Sequence, residues 1–259
     1  MGHIRLGRLP RTRKWQQVVA LLGKDAPVDR IAAATAAAAE SALRGAHRDP
    51  AFGHSFWLLT QVPLAARSSD FTTRLDKFGI HVGADPTLFA VTAAFSQAVD
   101  DHLRQVGGRT DLGEMAQLAA AESLAAVAGK DLPSLFRPTP SDVKLALGSL
   151  AAPDRFAALA RDFFARLTRR YLDYFVSREI SNHVGVDKAL SSVDAHTAFN
   201  AALEQHCREA SRIVQEFAGG WYSKARFEGT LTPAKARDFA WVAFHKIQTE
   251  LRKRANGDA

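Results

Sequence analysis

Seven side chains between positions 183 and 209 are of types that do chemistry: His183, Asp187, Asp194, His196, His206, Cys207 and Glu209. Imidazoles and carboxylates drawn together can hold a divalent metal, and a cysteine beside a histidine base can act as a nucleophile. The spacing does not match either chemistry closely. The chain contains no H-E-x-x-H, no G-x-S-x-G, no G-x-x-x-x-G-K-[ST] and no G-x-G-x-x-G opening a helix. His206 falls on the apolar seam of a predicted helix, where a hydrogen-bonded core histidine is expected, and Cys207 reads as a small buried hydrophobe. Asp100, Asp101 and His102, with Arg109 to Asp111 beyond Gly107-Gly108, could supply a Mg²⁺ site. No second set of carboxylates accompanies them, so Asp100 and Asp101 read as a solvated helix face. No metal and no cofactor is implied.

A second chemistry is the binding of anions. The first 24 residues hold Arg5, Arg8, Arg11, Arg13, Lys14 and Lys24 and no acid. Residues 221–259 hold eight Lys or Arg against four Asp or Glu, and the stretch between is slightly acidic, although the whole chain carries +7. Charge placed at the ends points to an acidic partner met there: other protein subunits, or DNA or RNA through phosphate contacts. In the arm 1–14, Ile4, Leu6 and Leu9 alternate with the cations while Gly7 and Pro10 discourage a helix. Such an arm can follow a phosphate backbone or lie along a partner protein. Lys224 and Arg226 sit among Trp221, Tyr222 and Phe227 in what reads as a loop after Gly219-Gly220, where aromatic and cationic groups could stack bases or pin the loop to the core. Arg252, Lys253 and Arg254 close the last helix, a position favoured by the helix dipole.

The elements that must position these groups read as helices throughout. Gly and Pro punctuate the sequence at helix-length intervals, and the segments between are rich in Ala, Leu, Arg, Glu and Gln. Thr12 caps a helix through Leu22, and Asp25 with Pro27 opens an Ala-rich one reaching about His47. Two helices follow, from about Ala51 to Leu64 and after Asp70, each expected to bury one face. A helix opened by Pro86 keeps Leu88, Val91, Phe95, Ala98, Val99 and Leu103 in register, and Leu112 to Ala128 forms the next. Pro133, Pro138 and Pro140 make Lys130 to Ser141 a connector that can divide two helical halves. After a short helix to about Leu150, the longest apolar stripe runs Phe156, Leu159, Phe163, Leu167, Tyr171, Tyr174. Asp162 and Asp173 stand four residues from Arg166 and Arg169 on its opposite side. Phe199, Leu203, His206, Ala210, Ile213 and Phe217 predict one helix ending at Gly219-Gly220. Thr232-Pro233 starts the last, with Phe239, Ala240, Ala243, Ile247 and Leu251 on its buried line.

These readings converge on an all-α globular bundle of about eight to ten helices without a sheet. It comprises a basic arm (1–14) and a helical domain (15–255), the latter open to division into two halves near 130–141. No apolar run approaches the ~20 residues a spanning helix needs, which argues against integral membrane insertion. The basic start lacks the apolar length and cleavage site of a signal peptide, and Leu6 breaks the myristoylation pattern. One cysteine permits no intrachain disulfide, in keeping with a reducing, cytoplasmic setting. The function expected is that of a non-catalytic helical subunit or adaptor in a larger assembly. An all-α hydrolase or transferase with a scattered His/Asp/Glu site around residues 183–209 is the alternative.

Overall fold

The computed structural model describes residues 12–24, 26–38, 48–180 and 192–256. All regular structure among them is helical, in the order α1 (Arg13–Gly23), α2 (Val28–Ala38), α3 (Pro50–Ala66), α4 (Phe71–Asp76), α5 (Leu88–Val106), α6 (Asp111–Gly129), α7 (Pro140–Ser149), α8 (Pro153–Ile180), α9 (Val193–Ala210), α10 (Arg212–Phe227) and α11 (Pro233–Asn256). The starts follow from local chemistry. Thr12, Thr87, Thr110 and Ser192 each accept a backbone N–H at the head of α1, α5, α6 and α9. Thr139 and Asp142 form a capping box on α7, so Pro140 opens that helix inside the expected connector. The cap expected of Asp25 and the continuation of α2 toward His47 lie outside the described residues, as do Ser181 to Ser191.

Two helices organise the rest. α3 packs against α6, α11, α7 and α5, while α8 packs against α10, α6 and α9. The expectation that α3 buries one face is corrected. Ala51, Phe52, Phe56, Leu58, Leu59, Val62 and Ala65 are all buried, because a helix apolar on every side needs neighbours on every side. Phe56 sits among Phe156, Phe163, Phe164, Trp221 and Phe239, with ring centroids 5.3–6.3 Å apart. Burying an aromatic side chain of this kind stabilises the fold by about 1.5–3 kcal/mol. α3 and α6 before the connector share one hydrophobic cluster with α8 after it. No helix among the described residues is long and apolar enough to cross a membrane.

The segment read as one helix from Phe199 to Phe217 is two. α9 stops at Ala210, and its buried line is Phe199, Leu203, Cys207 and Ala210 rather than one through His206. At the turn where α9 ends, the Cys207 carbonyl accepts from both the Ser211 N–H and the Ser211 hydroxyl. α10 then runs straight through Gly219-Gly220. Gly219 is required by packing and not by a turn: a Cβ there would lie 2.8 Å from the Pro153 carbonyl oxygen at the head of α8. In the same helix the Tyr222 ring stacks on Phe156 at 3.8 Å, and the Tyr222 hydroxyl donates to the Thr60 carbonyl, one turn before the helix-interior Pro63.

Candidate functional site

The described cations singled out from sequence fall near both ends of α8 and beside α2 and α9. Arg13 and Lys14 open α1 and are exposed, with Lys14 Nζ 3.5 Å from the Ala37 carbonyl at the far end of α2. Trp15, next in sequence, meets Phe175 near the C-terminal end of α8. Arg226 instead donates to the Ala151 carbonyl just before α8 begins. Twenty-odd helical residues separate these two places, or roughly 33 Å at 1.5 Å per residue. Arg254 lies within electrostatic range of His206, as does Asp29 at the opposite end of α2 from Ala37. Lys253 pairs with Glu250 at 2.9 Å and Arg252 donates to the Gln248 carbonyl, so the last helix engages these cations itself. Arg5, Arg8 and Arg11 lie outside the described residues.

The described residues of the alternative metal or nucleophile site do not assemble. Among the described residues no group of three or more His, Cys, Asp or Glu is placed to hold a metal. His183 and Asp187 lie outside that set. Asp194 and His196 stand in the first turn of α9, and His196 contacts Asn200. Cys207 is fully buried, and burial pushes its thiol up to about 12, so the thiol is protonated at neutral pH. The arginines of α8 are paired as their spacing suggested. Arg166 meets Asp162 at 2.6 Å, Arg169 pairs with Asp173, and Glu122 of α6 serves both Arg166 and Arg170.

Two clefts lie at opposite ends of α3. The first, about 690 Å³, is formed by the end of α3, α7 and the α7–α8 junction, and is lined by Ala66, Arg67, Ser141, Lys144, Leu145, Gly148, Ser149 and Ala152. Among the described residues no carboxylate lines it, and Asp131 approaches it by accepting from the Ser149 hydroxyl at 2.9 Å. Leu145 is 72% exposed despite being a large aliphatic on a helix, because α7 has one face on α3 and the other on solvent. The basic–aromatic stretch expected as a loop adjoins this cleft, and here the expectation is corrected: Trp221 to Phe227 is the last two turns of α10. Trp221 and Tyr222 pack inward, while Arg226 reaches Ala151, and Phe227 is 92% exposed. Lys224 stands 3.8 Å from Glu228.

The second cleft, about 580 Å³, lies between the head of α3, α5 and the head of α11. Arg48, Asp49, His54, Trp57, His102 and Arg237 line it. Asp49 caps α3 by accepting from the Phe52 N–H at 2.9 Å, and its other oxygen accepts from the Thr110 hydroxyl that caps α6. Gly113 permits this junction, since a Cβ there would lie 2.5 Å from the Ala51 Cβ. Burial raises the Asp49 carboxyl above its ordinary range, although the hydrogen bonds from Thr110, Phe52 and Ala51 oppose the rise. His54 stacks flat on His102 with ring centroids 3.9 Å apart. Burial first, and the neighbouring His102 second, lower His54 to about 3; burial also lowers His102. Both rings are therefore neutral at pH 7.

None of these cleft residues except His102 stands out in the sequence, and His102 does so only beside Asp100 and Asp101 as part of a Mg²⁺ site that lacks a second set of carboxylates. One signal is present: His54 is the one titratable side chain in α3. The chain matches no protein-family model, no curated protein and no solved structure.

Proposed function

We propose that this chain is a cytoplasmic, non-catalytic helical subunit that docks an acidic segment of a partner protein in the cleft between α3 and α7. The observation that carries this reading is the lining of that cleft. Its floor is apolar, its cations are Arg67 and Lys144, and no Asp or Glu is among its described lining residues, although Asp131 accepts from the lining Ser149. Arg226 and Phe227 extend the same combination onto the end of α10. An apolar floor with a cationic rim suits a peptide carrying aliphatic and acidic residues, whereas a nucleic-acid backbone would leave Leu145 without a partner. The segment 1–14, with Arg5, Arg8, Arg11, Arg13 and Lys14, supplies a further basic contact to the same assembly.

The test is co-purification of the tagged full-length chain from its native host, compared with a variant combining Arg67→Glu, Lys144→Glu and Leu145→Asp. All three positions are at the surface, and circular dichroism checks that the fold is kept. An acidic protein retained by the parent and lost by the variant supports the reading. Unchanged recovery, or recovery of nucleic acid alone, overturns it.

A further inference from the structure

The cleft at the head of α3 contains two buried N–H groups that meet no acceptor among the described residues. They are Trp57 Nε1 and Arg237 Nε, and both residues line the same space. Native proteins leave few buried donors unpaired, so each of these calls for an acceptor, and both belong to residues that line one cleft. The Asp238 carboxylate stands 3.8 Å from Arg237 Nε, beyond hydrogen-bond reach. The cleft's own carboxylate is already engaged, because both oxygens of Asp49 accept bonds that fasten the heads of α3 and α6. Arg48 brings a second guanidinium to the rim. Gly53 leaves room for the Arg237 stem, whose Cγ would lie 3.0 Å from a Cβ at that position.

The walls complete the chemistry. Trp57 and the stacked His54–His102 pair present flat rings, with His54 and Trp57 centroids 5.3 Å apart. A neutral imidazole can donate or accept, so the histidines adapt to either need. We infer that this cleft binds a small organic anion, its phosphate or carboxylate group held by Arg48, Arg237 and the Trp57 N–H, and its body against the aromatic rings. Guanidinium forks match both kinds of head group. The cleft lies at the other end of α3 from the proposed partner-docking surface, so the two can be tested separately.

The probes are phenyl phosphate, benzoate and inorganic phosphate, titrated against chloride at matched ionic strength into the ¹⁵N-labelled full chain. The readout is the indole N–H resonance of Trp57, assigned by its disappearance in Trp57→Phe. A saturable shift with phenyl phosphate or benzoate is expected, and the tighter of the two identifies the head group. Arg48→Gln, at an exposed position, should weaken that binding by about tenfold or more through loss of a charge-assisted contact. Arg237→Gln should do the same. The inference is overturned if the Trp57 resonance stays fixed with all three probes at about 10 mM, a concentration that reveals millimolar affinities. It is overturned equally if affinity is unchanged in both arginine variants, which would place the bound probe away from this cleft.

Discussion

Acidification should weaken this fold through one imidazole, by an amount that its burial sets. His54 is held neutral by burial and by its stack on His102, with its pKa lowered to about 3. In the unfolded chain a histidine titrates near 6.5, so between about pH 6.5 and pH 3 the unfolded state takes up the proton first. The stability tied to neutral His54 is thus complete above about pH 6.5 and is lost progressively as pH falls toward 3. Linkage puts the loss between pH 7 and pH 5 at about 2 kcal/mol for one such group, at ~1.36 kcal/mol for each pH step over which only the unfolded chain holds the proton. The ring is only half-buried and can swing toward water, which reduces this to about 1–2 kcal/mol. His102 adds to the effect with the same sign. Asp49, whose pKa is raised, acts in the opposite direction, because its folded form protonates before its unfolded one as pH falls. Urea denaturation at pH 7 and pH 5 measures the total, and His54→Phe, which keeps a flat ring over His102, isolates the share of His54. The parent should lose about 1–2 kcal/mol more than the variant over this interval. Equal losses in the two proteins would refute the assignment of a neutral, half-buried His54.

Three further outcomes follow from the packing. Gly220→Ala, facing open space within α10, should stabilise by about 0.5–1 kcal/mol, whereas Gly219→Ala should be less stable than Gly220→Ala by about 1–3 kcal/mol because its Cβ meets the Pro153 carbonyl; equal melting temperatures would deny that contact. Asp49→Ala should cost about 1–2 kcal/mol by removing a helix cap and stranding Thr110, while Asp49→Asn should retain most of the stability, as chemical denaturation would show. Cys207 should resist a neutral maleimide in the native state and react rapidly only in denaturant; labelling within minutes under native conditions would contradict its burial.

Local signals in the sequence carried much of the fold. Thr12 caps α1 as its position suggested, and the lines Phe156 to Tyr171 in α8 and Phe239 to Leu251 in α11 are buried as their spacing required. The ion pairs of Arg166 with Asp162 and Arg169 with Asp173 were likewise legible at four-residue spacing. The break at Ser211 was not, because the apolar rhythm continues almost unbroken from α9 into α10. Gly219 misled for a related reason: a glycine that ends a helix and a glycine that admits a neighbouring carbonyl are identical in sequence. The second cleft was hidden by distance along the chain. His54 and His102 stack only because α3 and α5 pack together, and Arg237 arrives from α11. The orphaned N–H groups of Trp57 and Arg237 are likewise a property of the packed state alone.

In the proposed function, an acidic partner segment sits in the cleft beside Leu145. A photo-crosslinking amino acid at position 145 of the full-length chain, irradiated in the native host, tests it most directly, with position 105 on the exposed side of α5 as control. Position 145 should capture one protein through a peptide rich in Asp or Glu, position 105 should not capture it, and Arg67→Glu with Lys144→Glu should abolish the capture. Capture of the same protein from both positions, or capture that survives the charge reversal, would contradict the proposed function.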